Sequence, residues 1–246
     1  MLCLHGGAAH AHWFDFIASA FTSDHHVLAL DLRGHGDSGW AEQHTYAFET
    51  YAADVAAFVE TLDLRDFVLI GHSMGGMVSL LYSATHPGRV SRLVVVDSTM
   101  LTPADRVAMM REFGTRPART HATQAELVER YRLEPAGPKL AAPEVIRHVA
   151  LHAGRQNADG TWQHKADRRV YANFERIEGM PLWEKVKIPA LVVKGEHSTR
   201  FLPPALAEIR ARAPQVEWAE VPASDHHITL DNPQGFVEAV SPFLRS

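Results

Sequence analysis

The chain is poor in cysteine: among its 246 residues only Cys3 carries a thiol. One thiol excludes an internal disulfide framework and fits a reducing compartment, which makes the cytoplasm the expected location. A surplus of positive charge is also missing, with 24 Lys and Arg against 29 Asp and Glu and a formal net charge of −5. Nucleic-acid grooves need clustered Lys and Arg, so that class of partner is not expected. No apolar run approaches the roughly 20 residues of a membrane-spanning helix. The opening MLCLHGG lacks the basic stretch and long apolar segment of a signal peptide. There is no internal repeat and no low-complexity linker. What remains, 46% hydrophobic and 22% charged, suits one large globular domain, perhaps with an inserted subdomain.

The first two-fifths of the chain alternate short apolar runs with helical patterns. VLALD (27–31), FVLIG (67–71) and RLVVVD (92–97) read as buried strands. Phe48, Tyr51, Val55, Phe58, Val59 and Leu62 recur at helical spacing, and a small-residue helix follows from Met74 to Thr85. Strands alternating with helices predict a mostly parallel sheet covered on both faces. From about Met100 to Lys187 the rhythm lapses into helical stretches such as AELVERYRL and EVIRHVALH, with a turn at Asp159-Gly160. It resumes with PALVVKG, PPALAEIRARA, VEWAEVP and PQGFVEAVSPFL. One α/β core (1–99 and 188–246) interrupted by a mainly helical insertion (100–187) is therefore expected, because both flanks complete the same alternation.

GHSMGG (71–76) falls where the strand FVLIG meets the next helix. Gly71-x-Ser73-x-Gly75 has the spacing of a tight turn that lifts a serine hydroxyl above the sheet edge, with the helix N-terminus behind it. A plain Gly-rich strand-to-helix turn is the competing reading. Upstream, Leu2–Leu4 break into His5-Gly6-Gly7, where Gly7 is free to bring its amide close to a substrate. Gly7 and Met74 are the two candidate oxyanion donors. His5 reads more readily as a loop-stabilising residue than as a base. SDHHITLDNPQGF (224–236) supplies imidazoles beyond a late strand, where the order serine, acid, histidine is satisfied. Sixteen histidines make chance pairs common. Zinc at His10-x-His12 or at His226-His227 has no supporting Cys or carboxylate spacing, and no metal or organic cofactor is expected.

These pieces together resemble the α/β-hydrolase superfamily over essentially the full chain: HGG at 5–7, DLRGHGDS at 31–38, GHSMGG at 71–76, the cap-sized insertion and the late His loop. The resemblance implies the α/β-hydrolase fold and makes Ser73 the nucleophile. Its catalytic histidine lies seven residues before a proline, which by Pro233 is His226, with His227 at a packing position. Asp31 and Arg33 correspond to loop pins. The family's usual acid, three residues past the glycine ending its seventh strand, is absent: from Gly195 the count reaches Ser198, and one residue later Thr199. A subset of the superfamily takes the acid from the end of the sixth strand, here Asp97. Glu196 is the fallback, and a site without a functional acid is the remaining case. The segment NADGTWQHKADRR (157–169) is similar to one that precedes the last cap helix of relatives. Two further strands that normally precede the HGG strand have no counterpart. That would leave VLALD as a bare sheet edge open to pairing with another chain, so self-association or a truncated reading frame is the expectation.

The implied activity is hydrolysis of small carboxylic esters through an acyl-enzyme. Thioester, lactone or C–C bond cleavage on the same triad is an alternative, as is a non-catalytic ligand-binding protein on the same scaffold. The insertion offers apolar candidates for the substrate wall (Met109, Met110, Phe113, Trp162, Phe174, Met180, Trp183) and basic ones (Arg106, Arg111, His148, His152).

Overall fold

Each fully apolar run becomes a strand of one sheet, and the polarity lapse becomes an excursion away from it. The computed structural model describes residues 1–42, 45–172, 174–176, 178–200 and 203–245. In chain order, β1 (Leu2–Leu4) leads through a 3-10 turn at Ala11–Phe14 into α1 (Asp15–Ala18) and β2 (Leu28–Leu30). Then come α2 (Phe48–Thr61), β3 (Phe67–His72), α3 (Met74–Thr85) and β4 (Val90–Val96). The insertion holds α4 (Ala104–Thr115), β5 (Thr120–His121), α5 (Gln124–Arg130), α6 (Pro143–His152), β6 (Gly154–Gln156), β7 (Trp162–His164) and α7 (Arg169–Ala172). The chain returns with β8 (Ala190–Gly195), α8 (Pro203–Arg212), β9 (Val216–Val221), α9 (Ile228–Asp231) and α10 (Pro233–Arg245).

The six-stranded sheet has the order β2-β1-β3-β4-β8-β9, and every neighbouring pair is parallel. Side chains alternate between its faces. Leu2, Leu4, Leu69, Leu93, Val95 and Val192 point into one cluster, which α2, α3 and α8 cover through residues such as Val55, Val78 and Ile209. Cys3, Val68, Ile70, Val94, Val96 and Val193 point into the other, closed by Ile17 of α1 and by Phe236, Val240 and Phe243 of α10. Burial on both faces explains why β3 reads as one unbroken apolar run. At the edge, β2 pairs with β1 alone among the described residues.

The excursion between β4 and β8 is not purely helical. It contains a small antiparallel sheet, β5-β7-β6, whose hairpin turns at Asp159-Gly160, with Gly160 at φ +85°. These strands are two or three residues long and polar, so no period-2 apolar pattern announces them. A third apolar cluster joins the excursion to the body: Val149, Ala150 and Ala153 of α6 and its end pack with Ala9, Trp13 and Leu230. The loop after β1 thereby becomes a shared boundary between the sheet and the insertion.

Candidate active site

The turn from β3 into α3 holds Ser73 at φ +52°, ψ −114°, a strained position for a residue with a side chain. The surroundings enforce it. A Cβ on Gly71 would lie 2.2 Å from the Gly75 carbonyl oxygen, and one on Gly75 would lie 2.3 Å from that of Leu4. Only glycines allow β1, β3 and α3 to approach so closely. The Ser73 amide donates to the Val96 carbonyl at 2.9 Å, and the Ser98 hydroxyl donates to the Ser73 carbonyl at 2.7 Å.

Asp97 follows β4 with φ +42°, and its amide donates to the Val193 carbonyl at 2.8 Å. Since His72 is in register with Val96, Ser73 and Asp97 leave neighbouring strands at the same level. The loop after β9 brings His226 between them. Its Nε2 lies 3.0 Å from Ser73 Oγ, and its Nδ1 lies 2.6 Å from Asp97 Oδ2. His72 holds that loop from below, donating from Nε2 to the His226 carbonyl at 2.7 Å. The sequence-predicted Ser73, His226 and Asp97 therefore converge. The fallback acid does not join them: Glu196 is 47% exposed, and its Oε2 accepts from the Ala223 amide at 2.8 Å, tying down the loop after β9.

Ser198 stands where the usual acid is missing. Its hydroxyl donates to Asp97 Oδ2 at 2.7 Å, so the loop GEHSTRF contributes a hydrogen bond to the carboxylate instead of a charge of its own. Asp97 is completely buried and its Oδ1 has no hydrogen-bond partner among the described residues. Burial pushes its carboxyl up to about 6, although the Ser198 hydrogen bond and nearby positive groups pull the other way. Burial also holds the His226 imidazole well below its ordinary value, helped by the charges of Arg200, His227 and Arg106. The resting imidazole is thus neutral and able to accept a proton through Nε2.

A cavity of about 530 Å³ opens over this array, bounded by Gly6, Gly7, Ser73, Met74 and His226. Met74 begins α3, so its N–H has no partner within the helix. Gly7 is crowded from the insertion: a Cβ there would meet the Tyr171 hydroxyl at 2.4 Å. Of the predicted wall residues, Met109, Met110, Phe113, Phe174 and Arg106 line the cavity. Trp183 is instead sealed in the main core with its indole N–H on Met100 Sδ, and Met180 packs against the same core. Trp162 belongs to β7, and Arg111 donates to the Phe174 carbonyl. His148 and His152 project from α6 toward His12.

The supporting loops behave as expected. His5 bridges two of them, Nδ1 donating to the Gly6 carbonyl at 2.7 Å and Nε2 accepting from the Leu32 amide at 3.0 Å. Asp31 accepts from the amides of Ala11 and Asp37, and Arg33 pairs with Asp54. His227 reaches the Pro135 carbonyl at 3.0 Å and packs edge-on against Trp13. Sequence reasoning missed the parts played by His72, Ser198, Tyr171 and Arg200. Ser198 carried a signal, its place in the vacant acid position; the others carried none.

Residues 1–233 match the α/β hydrolase fold family, and the chain belongs to it. It is 27% identical to 2-(acetamidomethylene)succinate hydrolase of Mesorhizobium japonicum, covering 99% of this chain and 87% of that protein. It is 29% identical to the mouse (Mus musculus) sn-1-specific diacylglycerol lipase ABHD11, over 98% and 79% of the respective chains. Among solved structures, that of E-2-(acetamidomethylene)succinate hydrolase superposes with a TM-score of 0.84 at 24% identity, covering 100% of this chain and 91% of the other. Relatives are named hydrolases, esterases and lipases, which supports a hydrolase activity. No helix among the described residues is long and apolar enough to cross a membrane.

Proposed function

We propose that the protein is a serine hydrolase acting on small carboxylic-ester-type substrates through an acyl-enzyme. The observation that carries this reading is the continuous chain from Ser73 Oγ through His226 to Asp97, at 3.0 and 2.6 Å, in the floor of the cavity. His226 takes the Ser73 proton as Oγ attacks the carbonyl carbon. The amides of Gly7 and Met74 receive the negative charge that develops on the carbonyl oxygen. His226 then protonates the leaving alcohol, activates water against the acyl-enzyme and returns the proton to Ser73. Asp97 holds Nδ1 and stabilises the imidazolium formed twice in each cycle. The insertion acts as a cap whose Met109, Met110, Phe113 and Phe174 line the acyl or alcohol pocket. Thioester, lactone and C–C bond hydrolysis share the oxyanion step and are the alternative chemistries. In the test, a fluorophosphonate labels Ser73 at one equivalent and p-nitrophenyl esters of graded chain length turn over. Sub-stoichiometric labelling of Ser73 together with no turnover of any ester would convert the reading to a ligand-binding protein.

The acid limb of the pH profile follows from Asp97. A carboxyl raised to about 6 is ionised above that pH and protonated below it, and a neutral carboxyl cannot stabilise imidazolium. Activity is therefore expected to be present at neutral pH and to fall about tenfold per unit below about pH 6. Measuring kcat/KM between about pH 4.5 and 8 checks this; a profile flat to about pH 5 contradicts it.

Arg106 and Arg200 favour a substrate that carries a carboxylate. Both line the cavity beside His226, and neither guanidinium makes an ion pair among the described residues. They oppose each imidazolium, and an anionic substrate group lying against them would offset that cost. Asp105 and Glu134 share the wall, so the two guanidiniums face carboxylates across the same cavity. A relative named for a succinate-derived substrate agrees with this preference. For Arg200→Gln, the kcat/KM ratio of a hemisuccinate-type ester to a neutral ester of equal length should drop about 10-fold. An unchanged ratio would remove Arg200 from substrate recognition.

A further inference from the structure

The sequence offers no carboxylate or Cys spacing that would join His10-x-His12 to a metal, but the fold brings one together elsewhere. His10 turns away, its Nε2 donating to the Val149 carbonyl. His12 in the 3-10 turn Ala11–Phe14 and Asp15 at the first position of α1 lie three residues apart, and His148 and His152 lie one turn apart on α6. The four present one ligand atom each, all within 4.8 Å of one another. Asp15 Oδ2 is shared by His12 Nδ1 at 2.9 Å and His148 Nε2 at 2.7 Å. The rings of His12 and His152 stack with centroids 3.6 Å apart, and Phe16 supports His148 edge-on.

From this geometry we propose a divalent transition-metal site of the zinc class, with three imidazoles and one carboxylate as ligands. A tetrahedral ion at Zn–N and Zn–O lengths of about 2.0–2.1 Å sets its ligand atoms about 3.3 Å apart. The present ligand atoms, within 4.8 Å of one another, would have to draw closer by side-chain rotation to reach that spacing. An i, i+4 histidine pair on one helix face is a known metal-holding arrangement, and the carboxylate from the second segment neutralises part of the ionic charge. His12, Asp15 and His148 are each more than a third exposed at the side chain, so an ion has a path in. None of the four lines the cavity. The ligands come from two sides of one boundary: the 3-10 turn and α1, beside the loop that carries Gly7, and α6 of the insertion. A bound ion would clamp the insertion to the body next to that loop, a structural role independent of the serine-hydrolase reading.

Titrating the chelator-stripped protein with ZnCl2 by calorimetry tests the site, with Tm read alongside. The wild type should bind one ion and gain Tm, and hydrogen exchange of residues 143–152 should slow. The double variant His148→Gln/His152→Gln, and separately Asp15→Asn, should each weaken binding about 100-fold. His226→Gln should bind as the wild type does, which separates this cluster from the active-site histidines. A wild-type Kd weaker than about 100 µM, or unaltered binding in both cluster variants, overturns the proposal, as does loss of binding in His226→Gln. If the double variant fails to fold, Asp15→Asn decides alone.

Discussion

Ser73→Ala is expected to lower kcat for an ester substrate by about 10⁵- to 10⁶-fold, and adding His226→Ala is expected to cost almost nothing more. Both effects follow from one geometry. The Ser73 hydroxyl is the atom that would form the acyl bond, and the Nε2 contact at 3.0 Å has a purpose only while that hydroxyl is present. Groups that act as a unit lose their joint effect when any one is removed, and the residual rate then comes from binding and oxyanion donors. Alanine at φ +52° is as strained as serine there, so the backbone should stay put and Tm should move little. The measurement is kcat for the two single variants and the double, with labelled wild-type enzyme as the background limit. Strictly multiplicative losses, or a Ser73→Ala variant within about tenfold of wild type, would contradict a Ser73-centred mechanism.

Asp97→Asn is expected to lower kcat about 10⁴-fold, while Glu196→Gln changes it by less than about twofold. An amide in place of the carboxylate keeps the shape of the site. It removes the charge that sustains imidazolium and favours the wrong tautomer on the other side of the 2.6 Å contact. Glu196 meets the Ala223 amide instead of the imidazole, and glutamine can still accept that hydrogen bond. Steady-state kinetics on the two variants and a thermal melt of each suffice. Near-normal turnover in Asp97→Asn together with collapse in Glu196→Gln would transfer the acid to the loop after β8.

Much of the fold was legible because the sheet is buried on both faces: runs such as FVLIG and VVV admit no other comfortable environment. The β5-β7-β6 sheet was not legible, since its strands are too short and polar to carry an alternating pattern. At the site, glycine spacing around Ser73 reports a backbone collision that any side chain would cause, so the turn is written locally. The imidazole is located by a motif in a single loop. The acid is harder because its pairing with His226 spans 129 residues, and two carboxylates end comparable strands. The cavity wall was half legible. Met109 and Trp183 are both large and apolar, and only the three-dimensional path of the insertion decides that one faces the cavity and the other fills the core. Histidines 148 and 152 illustrate the same limit: their proximity to His12 and Asp15 belongs to the docking of α6 and to no local spacing.

The short contact between Ser198 and Asp97 has a wider consequence. One carboxylate oxygen is reached by the imidazole from the loop after β9 and by the hydroxyl from the loop after β8, so two chain segments converge on a single point in space. The negative charge needed there is thus separable from the strand that delivers it. The imidazole can therefore meet a charge delivered from either strand end at the same point, without moving. In that light the serine of GEHSTRF is a seat held open, and the identity of the acid is a property of the location more than of the residue that occupies it.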